Sequence, residues 1–235
     1  VRRKSRNVVH APAGAPREVP WREPWTPRGV IEQLEPLVVP ARRERLLRVI
    51  GQRLSSVTVL MDAPHDPHNG AAVLRSCDAF GVQELHVVPR GEPFAFSTTV
   101  TRGSEKWVDV VVHADARAAI GALEASGFEL VATHPEGELV PDDLRAIARL
   151  TLVLGNERDG IGKEFVAAAR RSVRVPMRGF VESLNMSVSA AILLASATEG
   201  RPGDLSISER ERLYATGLFR TVARAHAVLD ASEPR

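Results

Sequence analysis

Two periods alternate along most of the chain. Continuous apolar runs stand at VTVLMD (57–62), ELHVV (84–88), KWVDVVV (106–112), FELVAT (128–133), LTLVLG (150–155) and SVRVP (172–176). Between most of them lie segments with apolar residues three and four apart, at 69–80, 115–126, 162–171 and 185–198. Runs without polar alternation are strands buried on both faces, and the helical segments supply the cover. The pattern predicts an α/β fold with a mostly parallel sheet covered by helices on both faces. Residues 40–54 predict a helix with Leu46, Leu47, Ile50 and Leu54 on one side and arginines on the other. A last amphipathic helix is predicted near 207–227. Residues 1–29 carry five prolines and no period, which predicts a loosely held arm. Trp21 and Trp25 break that pattern. Their proline neighbours limit how far the arm reaches, which favours pinning to the protein's own surface over stacking on bases.

The expected organisation is therefore a basic, Pro-rich arm (1–39), a basic helix (40–56), the α/β domain (57–200) and a C-terminal helical extension (201–235). Charge sharpens this division. The net charge is only +2, but residues 1–29 hold seven Lys/Arg against two Glu. Arg42, Arg43, Arg45, Arg48 and Arg53 follow, against Glu44. Basic segments at one end let a protein of modest net charge bind a polyanion, so Arg42, Arg43, Arg45 and Arg48 are candidate RNA contacts. No apolar run is long enough to span a bilayer, and the N-terminus lacks the apolar stretch of a secretory signal. The single cysteine, Cys77, lies in an apolar segment and fits a core position in a protein of the reducing cytoplasm.

Ligands of open parallel sheets bind beyond the C-terminal strand ends. Three loops occupy such places: DAPHDPHNG (62–70), LGNERDGIG (154–162) and VPMRGFVESLN (175–185). None carries the glycine spacing of a dinucleotide fingerprint, a P-loop or a nucleophile elbow. His65 and His68 flank Asp66 but are too few to hold a metal, and none is expected. Gly155, Gly160 and Gly162 permit close backbone approach. Asn185 and Ser187 place polar groups at the start of a small-residue helix.

Together the three stretches resemble the SpoU class of the SPOUT superfamily, the RNA ribose 2′-O-methyltransferases. The first motif, N-x-x-A-x-x-R-x-x-x-x-x-G, stands as Asn69, Ala72, Arg75 and Gly81. The second, G-x-E-x-x-G, stands as Gly155, Glu157 and Gly160. The third stands as PMRGFVESLNMSV, with Ser183 and Asn185. The PHN turn and GSEKWV (103–108) are most similar to the TrmH branch, which methylates guanosine 18 in the D-loop of tRNA. The resemblance spans roughly residues 40–220 and implies a C-terminal trefoil knot, a homodimer and S-adenosyl-L-methionine as methyl donor. It implies catalytic or positioning roles for Arg75, Asn69, Glu157, Ser183 and Asn185. It places Thr133, Gly155, Val175, Met177 and Leu184 on the cofactor wall. Large-subunit ribosomal RNA as substrate, and a catalytically silent RNA-binding protein, are the alternatives.

A ribose 2′-hydroxyl is hardly ionised at neutral pH, so the protein must align it with the donor and ease removal of one proton. The resemblance gives Arg75 the proton-accepting role. A guanidinium pKa above about 12 fits holding a phosphate and the developing alkoxide at least as well. Asn69 is expected to orient Arg75 or cap its helix, and Glu157 to accept hydrogen bonds from this constellation or from Asn185.

Overall fold

The computed structural model describes residues 11–12, 19–89, 96–156 and 158–232. In chain order the elements are β1 (Ala11–Pro12), α1 (Pro27–Leu34), α2 (Pro40–Ile50), β2 (Leu54–Asp62), α3 (Pro67–Ala79), β3 (Val82–Val88), α4 (Thr98–Thr101), β4 (Asp109–Val112), α5 (Ala116–Ala125), β5 (Glu129–Thr133), β6 (Leu150–Leu154), α6 (Lys163–Ala168), β7 (Arg171–Val173), α7 (Met186–Thr198), α8 (Ile207–Thr221) and α9 (Ala225–Asp230). The chain divides into two compact units, one built on Ser55–Arg201 and one on the described parts of Arg17–Leu54 and Pro202–Arg235.

The first unit is a sheet of order β1-β4-β3-β2-β6-β5-β7 with parallel pairing at β1–β4, β3–β4, β2–β6, β5–β6 and β5–β7. The apolar runs became strands because nothing in them needs water: all five residues of β6 are buried. One face packs α5 and α6 against Leu60, Val88, Leu130 and Val153 through Ala119, Leu123 and Phe165. Neighbouring strand residues such as Val59 and Met61, also buried, point the other way. The helices α3 and α7 pack against each other. The registers Met61↔Leu154, Ala132↔Val153 and Thr133↔Val173 bring the ends of β2, β6, β5 and β7 to one edge of the sheet.

Further along the same edge, His86 of β3 and His113, just past β4, form a buried stacked pair with Nδ1 of one 2.9 Å from Nε2 of the other. Burial, and then the neighbouring ring, pull the His113 pKa down to about 4, so it is neutral at pH 7.

The second unit is helical. α1 and α2 pack on α8, and α9 on α1. Close approach of α2 to α8 depends on Gly217, where an added Cβ would lie 2.8 Å from a Leu46 methyl. Tyr214 donates to Glu35 Oε1 at 2.7 Å, and burial followed by this bond pushes its pKa up to about 12. Trp21 is buried, donates from Nε1 to the Trp25 carbonyl at 3.0 Å, and lies 6.1 Å from the Phe219 ring.

Several expectations are corrected here. Residues 19–29, expected within a loose arm, are ordered: Trp21 is buried, Thr26 caps α1 and Pro27 starts it. One proline read as disorder, Pro27, is a helix start. The apolar run 106–112 begins as a short 3₁₀ turn, Ser104–Lys106, after the left-handed Gly103; only Asp109–Val112 is strand. The terminal helix breaks after Thr221, with Val222 extended and Arg224 left-handed. Leu47 is 52% exposed rather than core, because the buried stripe of α2 is Leu46 and Ile50.

Candidate active site

A cleft of about 890 Å³ opens at the shared ends of β5, β6 and β7, within the size range of small-molecule sites. Thr133, Gly155, Val175, Met177 and Leu184 all line it, as does Ser183. Three segments, from positions 133, 155 and 175–184, thus meet around one space.

Close backbone crossings make its walls. A Cβ on Gly155 would lie 2.3 Å from the carbonyl carbon of Gly160. The loop there closes on itself: Asn156 and Gly160 exchange backbone hydrogen bonds of 3.2 and 3.1 Å. Oδ1 of Asn156 accepts from the amides of Arg158 (2.9 Å) and Asp159 (2.8 Å). Asp62, at the end of β2, anchors the loop's far side by accepting from Gly162 N at 2.7 Å. On the opposite wall the turn after β5 crosses β7 so closely that a Cβ on Gly137 would lie 2.4 Å from the Val173 carbonyl carbon. Arg174 donates to the Gly137 carbonyl. Thr133 is tied down through Oγ1 to the Val153 carbonyl at 3.0 Å.

Beside this cleft the site changes character. Asn185 caps α7, its Oδ1 accepting from Ser187 N at 2.8 Å and Ser187 Oγ at 2.7 Å. Its Nδ2 donates to Asn69 Oδ1 at 3.0 Å, joining the starts of α3 and α7 across 116 positions of sequence. Both amides therefore have fixed orientations. Asn69 is not the cap of α3. Asp66 holds that place, its carboxylate accepting from His68 N at 2.8 Å ahead of Pro67. Arg75 is exposed on α3, and among the described residues its side chain has no hydrogen bond or ion pair. Six positions from Asn69 put it well around the helix from the Asn69–Asn185 pair. Glu157 lies outside the described residues.

Arg42, Arg43, Arg45 and Arg48 belong to α2 of the other unit. Arg45 and Arg48 are exposed, whereas Arg42 and Arg43 are half-buried, with Arg42 Nε 3.5 Å from Thr221 Oγ1. Among the described residues, no group of three His, Cys, Asp or Glu side chains could hold a metal ion, and no helix is long and apolar enough to cross a membrane. Sequence reasoning missed Asp62, Gly137 and Asn156. Only Asp62 carried a signal, as a carboxylate ending an apolar strand.

Comparisons with known proteins identify the family. A family model described as the SpoU rRNA Methylase family matches residues 56–195. The chain is 34% identical over 197 residues to the tRNA (guanosine(18)-2′-O)-methyltransferase of Escherichia coli K12, covering 79% of this chain and 85% of that protein. The crystal structure of the Aquifex aeolicus TrmH/SpoU tRNA modifying enzyme superposes with a TM-score of 0.68 at 29% identity, covering 78% of this chain and 98% of that one. The SpoU methyltransferase AviRb of Streptomyces viridochromogenes, in complex with its cofactor AdoMet, matches with a TM-score of 0.56 at 26% identity, covering 65% and 63%. A match across the sheet, the glycine loop and the start of α7 places this chain in the SpoU methyltransferase family.

Proposed function

We propose that this protein transfers a methyl group from S-adenosylmethionine to the ribose 2′-oxygen of guanosine 18 in tRNA, working in the cytoplasm as a homodimer. The observation that carries the reading is the meeting of all three family motifs beside one cleft: Gly155 and Ser183 line it, and Asn185, two residues past Ser183, bonds to Asn69. The relative's tRNA (guanosine(18)-2′-O) activity supports the choice of nucleotide.

The cleft suits such a donor. Gly155 brings bare backbone to its wall, Val175, Met177 and Leu184 offer apolar surface, and Asn156 has a buried amide nitrogen without an acceptor among the described residues. Thr133, Gly155, Val175, Met177 and Leu184 would hold the donor. When bound it supplies an activated methyl group, so the chain's own task is alignment and proton removal. Arg75, exposed and without a described partner, takes an RNA phosphate and steadies the alkoxide as it forms. Asn69 and Asn185 tie α3, which carries Arg75, to the start of α7, just after Ser183. Glu157 takes hydrogen bonds from the same constellation.

The dimer rests on a patch beside the cleft. Phe180 is 107% exposed and Val181 61%, and Leu184, Val188 and Ile192 continue the surface onto α7. Such a patch of large apolar groups marks an association surface, and a self-complementary one gives a twofold dimer.

Ribose-methylation mapping of tRNA and ribosomal RNA with and without the protein tests the reading. A methyl group at guanosine 18 is expected. A mark on ribosomal RNA alone would move the substrate, and no mark on either would overturn the proposal.

A further inference from the structure

Asn156 sits at the floor of the cleft, 4% exposed. Nearly all its polar groups are spent on the loop. Its backbone exchanges both hydrogen bonds with Gly160, and its Oδ1 accepts the amides of Arg158 and Asp159. Those two donors fix which end of the amide is oxygen, so a flip is excluded. Nδ2 is left buried with no acceptor among the described residues. A buried donor in that state costs about 1–3 kcal/mol, and folded proteins keep few of them.

The loop does not need this amide nitrogen. An Asp, with the same shape, would accept both amides equally well, and Ser or Thr hydroxyls form related turns. What Asn alone adds is a neutral donor in the wall of the cleft. A neutral donor also suits this wall, because Asp159, Glu138 and Glu182 line the same space and a further carboxylate would add to their repulsion.

We infer that Asn156 is a binding residue for the methyl donor: its Nδ2 donates to a nitrogen or oxygen acceptor of bound S-adenosylmethionine while its Oδ1 holds the loop. This rests on the proposed methyltransferase reading. It gives one side chain two separable duties, and substitution can take one away and leave the other. Asn156→Asp keeps the loop acceptor and removes the donor. Asn156→Ser keeps a short neutral acceptor that does not extend to the ligand, which separates loss of the donor from the effect of an added charge.

The test is calorimetric titration of the full chain with S-adenosylhomocysteine, alongside thermal unfolding without ligand. The wild-type chain is expected to bind. Asn156→Asp is expected to keep the loop bonds, to unfold below the wild-type temperature because a buried carboxylate replaces a neutral amide, and to bind about tenfold more weakly. Asn156→Ser is expected to bind more weakly by a similar factor, and it decides the question should the Asp variant fail to fold. Methylthioadenosine, which lacks the amino-acid half, locates the acceptor: equal weakening with both ligands puts it on the adenosyl half. Undiminished affinity in the folded variants overturns the inference. Absence of binding by the wild-type chain overturns the methyltransferase reading instead.

Discussion

The two sides of the candidate site are built from different materials. The proposed donor side is main chain: Gly155 against Gly160, Gly137 against Val173, and an Asx turn at Asn156. The proposed RNA side is side chain: the Asn185–Asn69 amide bond and the solvent-facing Arg75. The difference matches the ligands proposed for each. A small cofactor in a concave site is best read by backbone groups brought very close, which only glycine allows. A polyanion arriving from solvent is best met by long cationic groups and by amides of fixed orientation. One wall should therefore fail when a carbon is added, the other when a functional group is removed.

Arg75→Ala should break that comparison most visibly. Methyl transfer is expected to fall by about 10³-fold, the scale of losing one group that stabilises developing charge. S-adenosylhomocysteine affinity should stay at the wild-type level, since Arg75 does not line the cleft. A tritium-transfer assay beside calorimetry measures both, and parallel loss of the two would show that the sides are not separate. Gly155→Ala is the converse. Its methyl group would lie 2.3 Å from the Gly160 carbonyl carbon, so the loop must shift. Overpacking of this kind costs about 1–3 kcal/mol. Affinity for S-adenosylhomocysteine should drop roughly 10- to 100-fold, with a matching fall in the urea midpoint.

Asn185 allows a finer cut. Asn185→Asp keeps the cap on α7 and removes the donor to Asn69; turnover should fall about tenfold with little change in thermal stability. Asn185→Ala loses the cap as well and should cost about 1 kcal/mol more. Equal stability of the two variants would mean the cap contributes nothing. The smallest effect is expected in the other unit. Replacing exposed Arg45 and Arg48 with Gln should weaken tRNA binding only several-fold. It should also reduce the slope of log affinity against log salt by about 0.7–0.9 per charge. Filter binding at several salt concentrations reads it, and an unchanged slope would remove α2 from the RNA contacts.

The sheet was legible because burial on both faces leaves a signature that few other elements share. The runs at 57–62, 84–88 and 150–155 each overlap a strand of the structure, β2, β3 and β6. The KWVDVVV run was misread because its first half obeys local turn chemistry. Gly103 is left-handed, and Ser104 Oγ donates to Asp78 at 3.0 Å, before any strand pairing begins. Proline was ambiguous for a similar reason: Pro27 was read as part of a loose arm, yet it begins a helix. At the site, motif spacing singled out Asn69 and Asn185, but a bond across 116 positions leaves no periodic trace, and the capping role went to Asp66 instead. Asn156 was passed over because an Asn between two glycines reads as ordinary turn chemistry. Its orphaned nitrogen becomes visible only when each of its neighbours' hydrogen bonds is counted.

The helical unit draws on two separated stretches, the described parts of Arg17–Leu54 and Pro202–Arg235, with Ser55–Arg201 between them. During synthesis α1 and α2 leave the ribosome long before α8, the helix on which both pack. At typical elongation rates that wait is roughly 7–30 s, far longer than a helix takes to form. The nascent chain thus carries uncovered apolar stripes beside a cluster of arginines while its central domain folds, which makes this window a natural point for chaperone capture or premature RNA contact.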